Sequence, residues 1–93
     1  MITIYKYQIE IDSIAAKVQM PKDAKILTVQ NHRGLIYIWA EVDTENEEET
    51  VTFEVFGTGH PIHTDIGIDR EYIGTVQIDF GNLVMHVYKY TGV

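Results

Sequence analysis

The chain has 93 residues, a formal net charge of −7 and no cysteine. A chain of this length forms a single domain, residues 1–93, with a small core. Without cysteine it has neither a disulfide framework nor a thiolate zinc site, so packing or self-association must stabilise it. The seven Lys and Arg residues are scattered and are outnumbered by fourteen Asp and Glu. We therefore expect no binding of duplex nucleic acid.

The N-terminal residues and the length of the apolar runs indicate where in the cell the protein resides. Residues 1–7 lack the basic region and the apolar core of a signal peptide, and apolar runs elsewhere are only a few residues long. We expect a cytoplasmic protein without a membrane contact.

Six of the fourteen acids lie in residues 41–49, so the acidity is local. We interpret this segment as a solvated hairpin tip, with an acidic docking patch as the alternative.

Alternation of apolar and polar residues predicts about six strands. They cover residues 2–11, 26–30, 35–42, 50–56, 72–80 and 83–90. Turn-forming residues separate them, notably at 31–34 and 81–82. Residues 13–19 follow the possible cap Asp12 and could add one short helical turn. The predicted fold class is all-β, a single antiparallel meander or sandwich.

The loop after the fourth predicted strand holds the strongest candidates for a binding site. Gly57 and Gly59 allow successive backbone N–H groups to converge on an anion, and phosphate is the natural guest. Thr58 offers a hydroxyl to the same anion and His60 offers an imidazole. The lysine of a phosphate-binding P-loop and its following serine or threonine are missing. The alternative is therefore a tight bend that leads out of the strand.

The same loop contains residue types that bind metals or act in hydrolysis. His63 and Asp65 follow His60 closely, but Pro61 stiffens the path between them. We predict no metal and no cofactor, and we keep His63 and Asp65 as ligand-binding candidates. Ser13 is the only serine and has no neighbouring histidine, so no catalytic residue is assigned.

Aromatic residues supply the second half of the predicted site. Trp39, the only tryptophan, is interpreted as a core side chain or as a stacking platform for a base, and Tyr72 is the other stacking candidate. His86 is interpreted as a structural histidine. Residues 4–7 and 87–90 share a tyrosine-rich pattern that could cover a subunit contact. A 93-residue monomer has little depth, so we expect a homo-oligomer with a pocket shared between subunits.

Several phrases of the sequence carry a family resemblance. They include Met20-Pro21-Lys22 followed by Lys25-Ile26-Leu27, then Phe56-Gly57-Thr58-Gly59-His60-Pro61-Ile62, and Tyr72-Ile73-Gly74-Thr75. Over nearly its whole length the chain resembles a family of small phage and prophage proteins carried as a domain of unknown function. The resemblance implies a virus-borne accessory protein in a bacterial cytoplasm, of a kind that often binds or removes host defence components. It implies no catalytic residue.

Three functions remain open from the sequence. The favoured one is a non-enzymatic homo-oligomer that sequesters a small nucleotide-derived immune signal of the host. Loop residues 57–65 would hold its phosphate, and Tyr72 or Trp39 would take its base. The second is a module that binds a phage or host protein through an edge strand or its tyrosine surface. The third is a hydrolase of nucleotide signals that uses loop residues 57–65.

Overall fold

A computed structural model describes residues 1–10 and 15–92, which form seven strands. The strands are β1 (Ile2–Ile9), β2 (Ala15–Pro21), β3 (Lys25–His32), β4 (Leu35–Asp43), β5 (Glu48–Gly57), β6 (Arg70–Ile78) and β7 (Leu83–Tyr90). They form a three-stranded sheet A, ordered β1-β4-β3, and a four-stranded sheet B, ordered β2-β5-β7-β6. The predicted all-β antiparallel class is confirmed. The described residues contain no helix that is long and apolar enough to cross a membrane.

The helical turn predicted over residues 13–19 is wrong in its described part. Residues 15–19 belong to β2, which pairs antiparallel with β5, while residues 11–14 lie outside the described part of the chain. Ala16 and Met20 are buried and Val18 is half-buried, and they alternate with exposed residues. This period of two fits a strand on the edge of sheet B better than a helix. The extra strand raises the count from six to seven.

The core lies between the inner faces of the two sheets. Its buried side chains on β4 and β5 are Ile36, Ile38, Ala40 and Val42 of β4 and Val51, Phe53 and Val55 of β5. On both strands these residues occupy every second position, because successive side chains of a strand point to opposite faces. The sequence pattern predicts β4 to be buried on both sides, but Tyr37 and Trp39 on its outer face are only half-buried.

The acidic segment is not the tip of a hairpin, as its composition predicts, but a corner between the sheets. Residues 44–47 connect β4 of sheet A to β5 of sheet B. The corner is held to the connection after β2, because Lys22 N–H donates to the Glu47 carbonyl at 2.7 Å. The Asn46 amide in turn donates to the Lys22 carbonyl at 2.9 Å.

One side of the sandwich is closed where the edge strands β3 and β6 meet. The Asn31 side-chain amide on β3 donates to the Gln77 carbonyl on β6 at 2.8 Å. A side chain at Gly74 would come within 2.8 Å of Val29, so the two strands approach as closely as a glycine permits. β3 then turns into β4 through Arg33 and Gly34.

The connection from β5 to β6 has to cross sheet B. Both strands pair antiparallel with β7, which lies between them, so they run in the same direction. Residues 58–69 therefore return along the length of the sheet before β6 begins. Phe56 at the end of β5 is buried although its register places it on the outer face, because Tyr88 and Arg70 pack against its ring.

Candidate functional site

A string of four hydrogen-bonded side chains lies on the outer face of sheet B. The Thr58 hydroxyl contacts His86 Nε2 at 2.7 Å, and the Thr75 hydroxyl contacts His86 Nδ1 at 3.0 Å. The Tyr72 hydroxyl bonds the Thr75 hydroxyl. A neutral imidazole has one donor and one acceptor nitrogen, and each hydroxyl can do both, so the string can be satisfied in either direction. The structure thus brings together Thr58 and Tyr72, two predicted site residues.

The sequence predicts that the two glycines of residues 57–65 let backbone N–H groups converge on an anion. In the structure each glycine has a different local role. A side chain at Gly57 would come within 2.9 Å of the His60 ring, so Gly57 leaves room for that imidazole. Gly59 has a φ of 86°, the left-handed region that favours glycine. The N–H groups of Thr58 and His60 donate to the carbonyls of Val84 and Gly57 at 3.2 and 3.0 Å. These two donors are therefore engaged within the protein.

Asp65 makes hydrogen bonds within its own turn, and His63 is exposed to solvent. Asp65 accepts a hydrogen bond from the backbone N–H of Ile66 at 2.7 Å, and its carbonyl accepts from Ile68 N–H at 3.2 Å. Within residues 1–10 and 15–92, no group of three or more His, Asp or Glu side chains is placed to hold a metal ion. His60, His63 and Asp65 are thus not gathered into a metal-binding group in the described part of the chain.

Trp39 lies on the opposite face of the sandwich, the outer face of sheet A, where it joins an aromatic and cationic cluster. The cluster consists of Lys6, His32, Tyr37 and Trp39, contributed by β1, β3 and β4. Lys6 Nζ lies 2.7 Å from His32 Nδ1, 4.0 Å from the centre of the Tyr37 ring and 5.4 Å from that of Trp39. The Tyr37 ring also contacts His32 and Trp39, with ring centres 5.8 and 6.3 Å apart.

The strand register explains why these residues meet. Lys6 pairs with Trp39 across β1 and β4, and Tyr37 is two residues before Trp39 on the same face. The Lys6 ammonium can only donate, so His32 Nδ1 accepts from it, and two of its three donor hydrogens remain for other acceptors. An ammonium and an imidazole beside two half-buried rings suit an anion attached to a flat ring system.

A recess of about 840 Å³ lies between two hairpin tips. Its lining includes Arg33 from the β3–β4 turn and Phe80 from the β6–β7 turn. Both residues have positive φ values, 57° and 55°, and the Phe80 side chain is fully exposed. Turn positions with positive φ favour Asn, Asp and Gly, so a phenylalanine there is strained.

The sequence pointed to Trp39 and Thr58 as candidates, but it did not predict which side chains contact them in the structure. Lys6, His32 and Tyr37 lie in three separate segments of the sequence, and only the pairing of β1 and β3 with β4 gathers them. Alternation along residues 35–42 contained one usable signal. It assigns Tyr37 and Trp39 to the face opposite Ile36 and Ile38, and the structure shows that the face of Ile36 and Ile38 is the one in the core.

Comparison with known proteins gives the family of the chain but no activity. No curated protein and no solved structure shows a significant match. A family model described as a domain of unknown function, DUF7352, matches residues 1–92. Because this match covers nearly the whole chain, the protein belongs to the DUF7352 family.

Proposed function

We propose that the protein is a non-enzymatic binding protein for a small phosphorylated, nucleotide-like ligand. The observation that carries this proposal is the cluster of Lys6, His32, Tyr37 and Trp39 on the outer face of sheet A. Lys6 and His32 would receive the phosphate, and Trp39 would stack against the base. Base–aromatic stacking is independent of base identity, so the phosphate contacts and the ring contacts can act together on many nucleotides.

The proposal moves the phosphate away from loop residues 57–65. The N–H groups of Thr58 and His60 and the Thr58 hydroxyl already have partners within the protein. An anion at the loop would have to compete with those bonds, whereas the Lys6 ammonium keeps free donor capacity. The assignment of His63 and Asp65 to a ligand site remains a prediction.

The biological form of this proposal is sequestration of a nucleotide-derived immune signal of the host. Its support is the resemblance to small phage and prophage proteins. A protein that binds such a signal without consuming it lowers the free signal concentration in proportion to its own abundance. A homo-oligomer would add depth to a site that lies on an open sheet surface.

The ligand proposal predicts a large effect of removing the Lys6 ammonium. Loss of a hydrogen bond to a charged group costs about 1.5–3 kcal/mol, so Lys6→Ala should weaken nucleotide binding roughly 10- to 150-fold. We expect loss of stacking in Trp39→Leu to weaken it about 5- to 150-fold. Calorimetric titration with a panel of linear and cyclic mono- and dinucleotides measures both effects, and fluorescence of the single tryptophan reports stacking in the unmodified protein.

Two control variants make this titration decisive. Lys17→Ala removes an exposed lysine from β2 on the other sheet and should leave the affinity unchanged. Binding that survives Lys6→Ala and Trp39→Leu but is lost in His60→Ala would return the site to loop residues 57–65. Mass spectrometry of the recovered ligand should find it intact, and a hydrolysed product would contradict the non-enzymatic role.

Phe80 favours a second candidate function, recognition of another protein. A fully exposed phenyl ring on a backbone with a φ of 55° costs stability without filling any core space. Such residues at loop tips serve as anchors in the pockets of partner proteins.

For this second function we expect Phe80→Asn to keep or raise the melting temperature, because asparagine tolerates the left-handed conformation. The same variant should lose any protein that the unmodified chain retains from a bacterial host lysate. If the unmodified chain and Phe80→Asn retain the same lysate proteins equally, Phe80 does not contact them. A lowered melting temperature of Phe80→Asn would show that the phenyl ring stabilises the fold.

A further inference from the structure

The four edge strands that residues 1–10 and 15–92 form differ in how well they are protected from pairing with another chain. The edges are β1 and β3 in sheet A and β2 and β6 in sheet B. β3 has a register irregularity between Ile26 and Thr28, and β6 has one between Tyr72 and Gly74. β2 ends in Pro21. Bulges and prolines are the usual means by which proteins prevent pairing at sheet edges.

β1 has no register irregularity and no proline, and its single lysine, Lys6, is the only one of the usual edge protections that it carries. All eight of its residues pair with β4 in a single regular register, and the strand contains neither proline nor glycine. Ile2, Ile4 and Tyr5 are 63%, 55% and 43% exposed, and Lys6 is the only charged side chain on the strand. β3 and β6 also shield each other through the hydrogen bond from Asn31 to Gln77. A long, regular and apolar edge such as β1 is a template for strand addition.

We propose that β1 pairs antiparallel with β1 of a second copy of this chain. The pairing joins two A sheets into one continuous six-stranded sheet about a two-fold axis. It satisfies the outer backbone N–H and C=O groups of both edge strands and covers Ile4 and Tyr5. The inference goes beyond the ligand proposal and does not depend on it.

The charge of Lys6 disfavours one register of this pairing, and we place the two-fold axis one residue earlier, at Tyr5. Directly opposite residues of an antiparallel pair lie on the same face, so the two-fold axis passes through a residue position. An axis at Lys6 would place two ammonium groups opposite each other, which is destabilising. An axis at Tyr5 places Tyr5 opposite Tyr5 of the second copy and Ile4 opposite its Lys6. There the aliphatic stem of Lys6 can pack on Ile4.

Cysteine cross-linking tests this register directly, because the chain contains no cysteine. Oxidation of Tyr5→Cys should give a covalent dimer. Leu27→Cys is the matched control, since Leu27 lies on the other edge strand of sheet A and is 44% exposed, against 43% for Tyr5. Cross-linking of Leu27→Cys as fast as Tyr5→Cys would overturn the proposal.

A charge pair at position 4 provides a second test in solution. Ile4→Lys places a lysine opposite Lys6 of the second copy twice per dimer, and should weaken self-association roughly tenfold. Ile4→Glu places a carboxylate there and should preserve the dimer. Sedimentation across the micromolar range compares both with the unmodified chain. A monomeric unmodified chain, or equal effects of the two substitutions, would contradict the inference, and nucleotide affinity measured on the same samples tests the ligand proposal separately.

Discussion

Phe53→Ala should lower the free energy of unfolding by about 3–5 kcal/mol, the range found for truncation of buried aromatic residues. The Phe53 side chain has no exposed surface and lies in the middle of the core cluster with Met20, Ile38 and Val87. Truncation removes buried apolar surface and leaves a cavity between the sheets. The strands cannot move in to fill it, because hydrogen bonds within each sheet hold them in place. Because small domains have a total stability of only about 5–15 kcal/mol, a large part of this reserve would be lost.

Urea unfolding followed by circular dichroism measures this loss, and the chain offers a matched control. Phe80 is the same residue type but is fully exposed, so Phe80→Ala should change the free energy of unfolding by less than about 0.5 kcal/mol. Equal effects of the two substitutions would mean that the core does not lie between the two sheets. An unchanged denaturant slope is the check that both transitions remain two-state.

The second large effect concerns the ion pair of Arg70 with Glu54. Arg70 Nε donates to Glu54 Oε1 at 2.6 Å, and the two side chains are only 11% and 14% exposed. Arg70 begins β6, Glu54 lies on β5, and β7 runs between these strands. The pair therefore bridges β5 and β6 across β7, beside Phe56, whose ring centre lies 5.5 Å from the Arg70 guanidinium.

Arg70→Met should cost about 3–5 kcal/mol, because it leaves the Glu54 carboxylate largely buried without its cation. Adding Glu54→Leu should recover most of this loss, since apolar replacements of a buried pair are often neutral or stabilising. A double-mutant cycle of unfolding free energies measures the coupling between the two side chains. Additive effects of the two substitutions would show that the pair contributes no coupling to the stability of the sheet.

Local pattern alone predicted most strands because period-two alternation is a property of adjacent residues. The segments at 50–56 and 83–90 alternate clearly, and β5 and β7 cover them. The segment at 13–19 is ambiguous because a short run with Ala15, Ala16 and Val18 suits a helical turn or a strand equally well by composition. Pairing of β2 with β5 decided between them, and that pairing is a contact between distant residues.

The candidate sites were likewise visible from the sequence only in part. Loop residues 57–65 stood out because Gly, Pro and His occur together there, and composition is visible without a structure. The structure shows Gly57 making room for the His60 ring and Thr58 bonded to His86. Neither relation has a signature in the sequence, because each depends on how the loop folds back and on which strand lies beside it.

The sequence by itself determined the all-β class and the local nature of the acidic charge, since each follows from composition or from neighbouring residues. Only the tertiary structure decided which strands became unprotected edges and which side chains met on the outer faces. Lys6 and Trp39 are distant in sequence but pair across β1 and β4, and His32 reaches them from β3. Such meetings depend on strand order and register, which are set by burial of the whole core and cannot be read from any one segment.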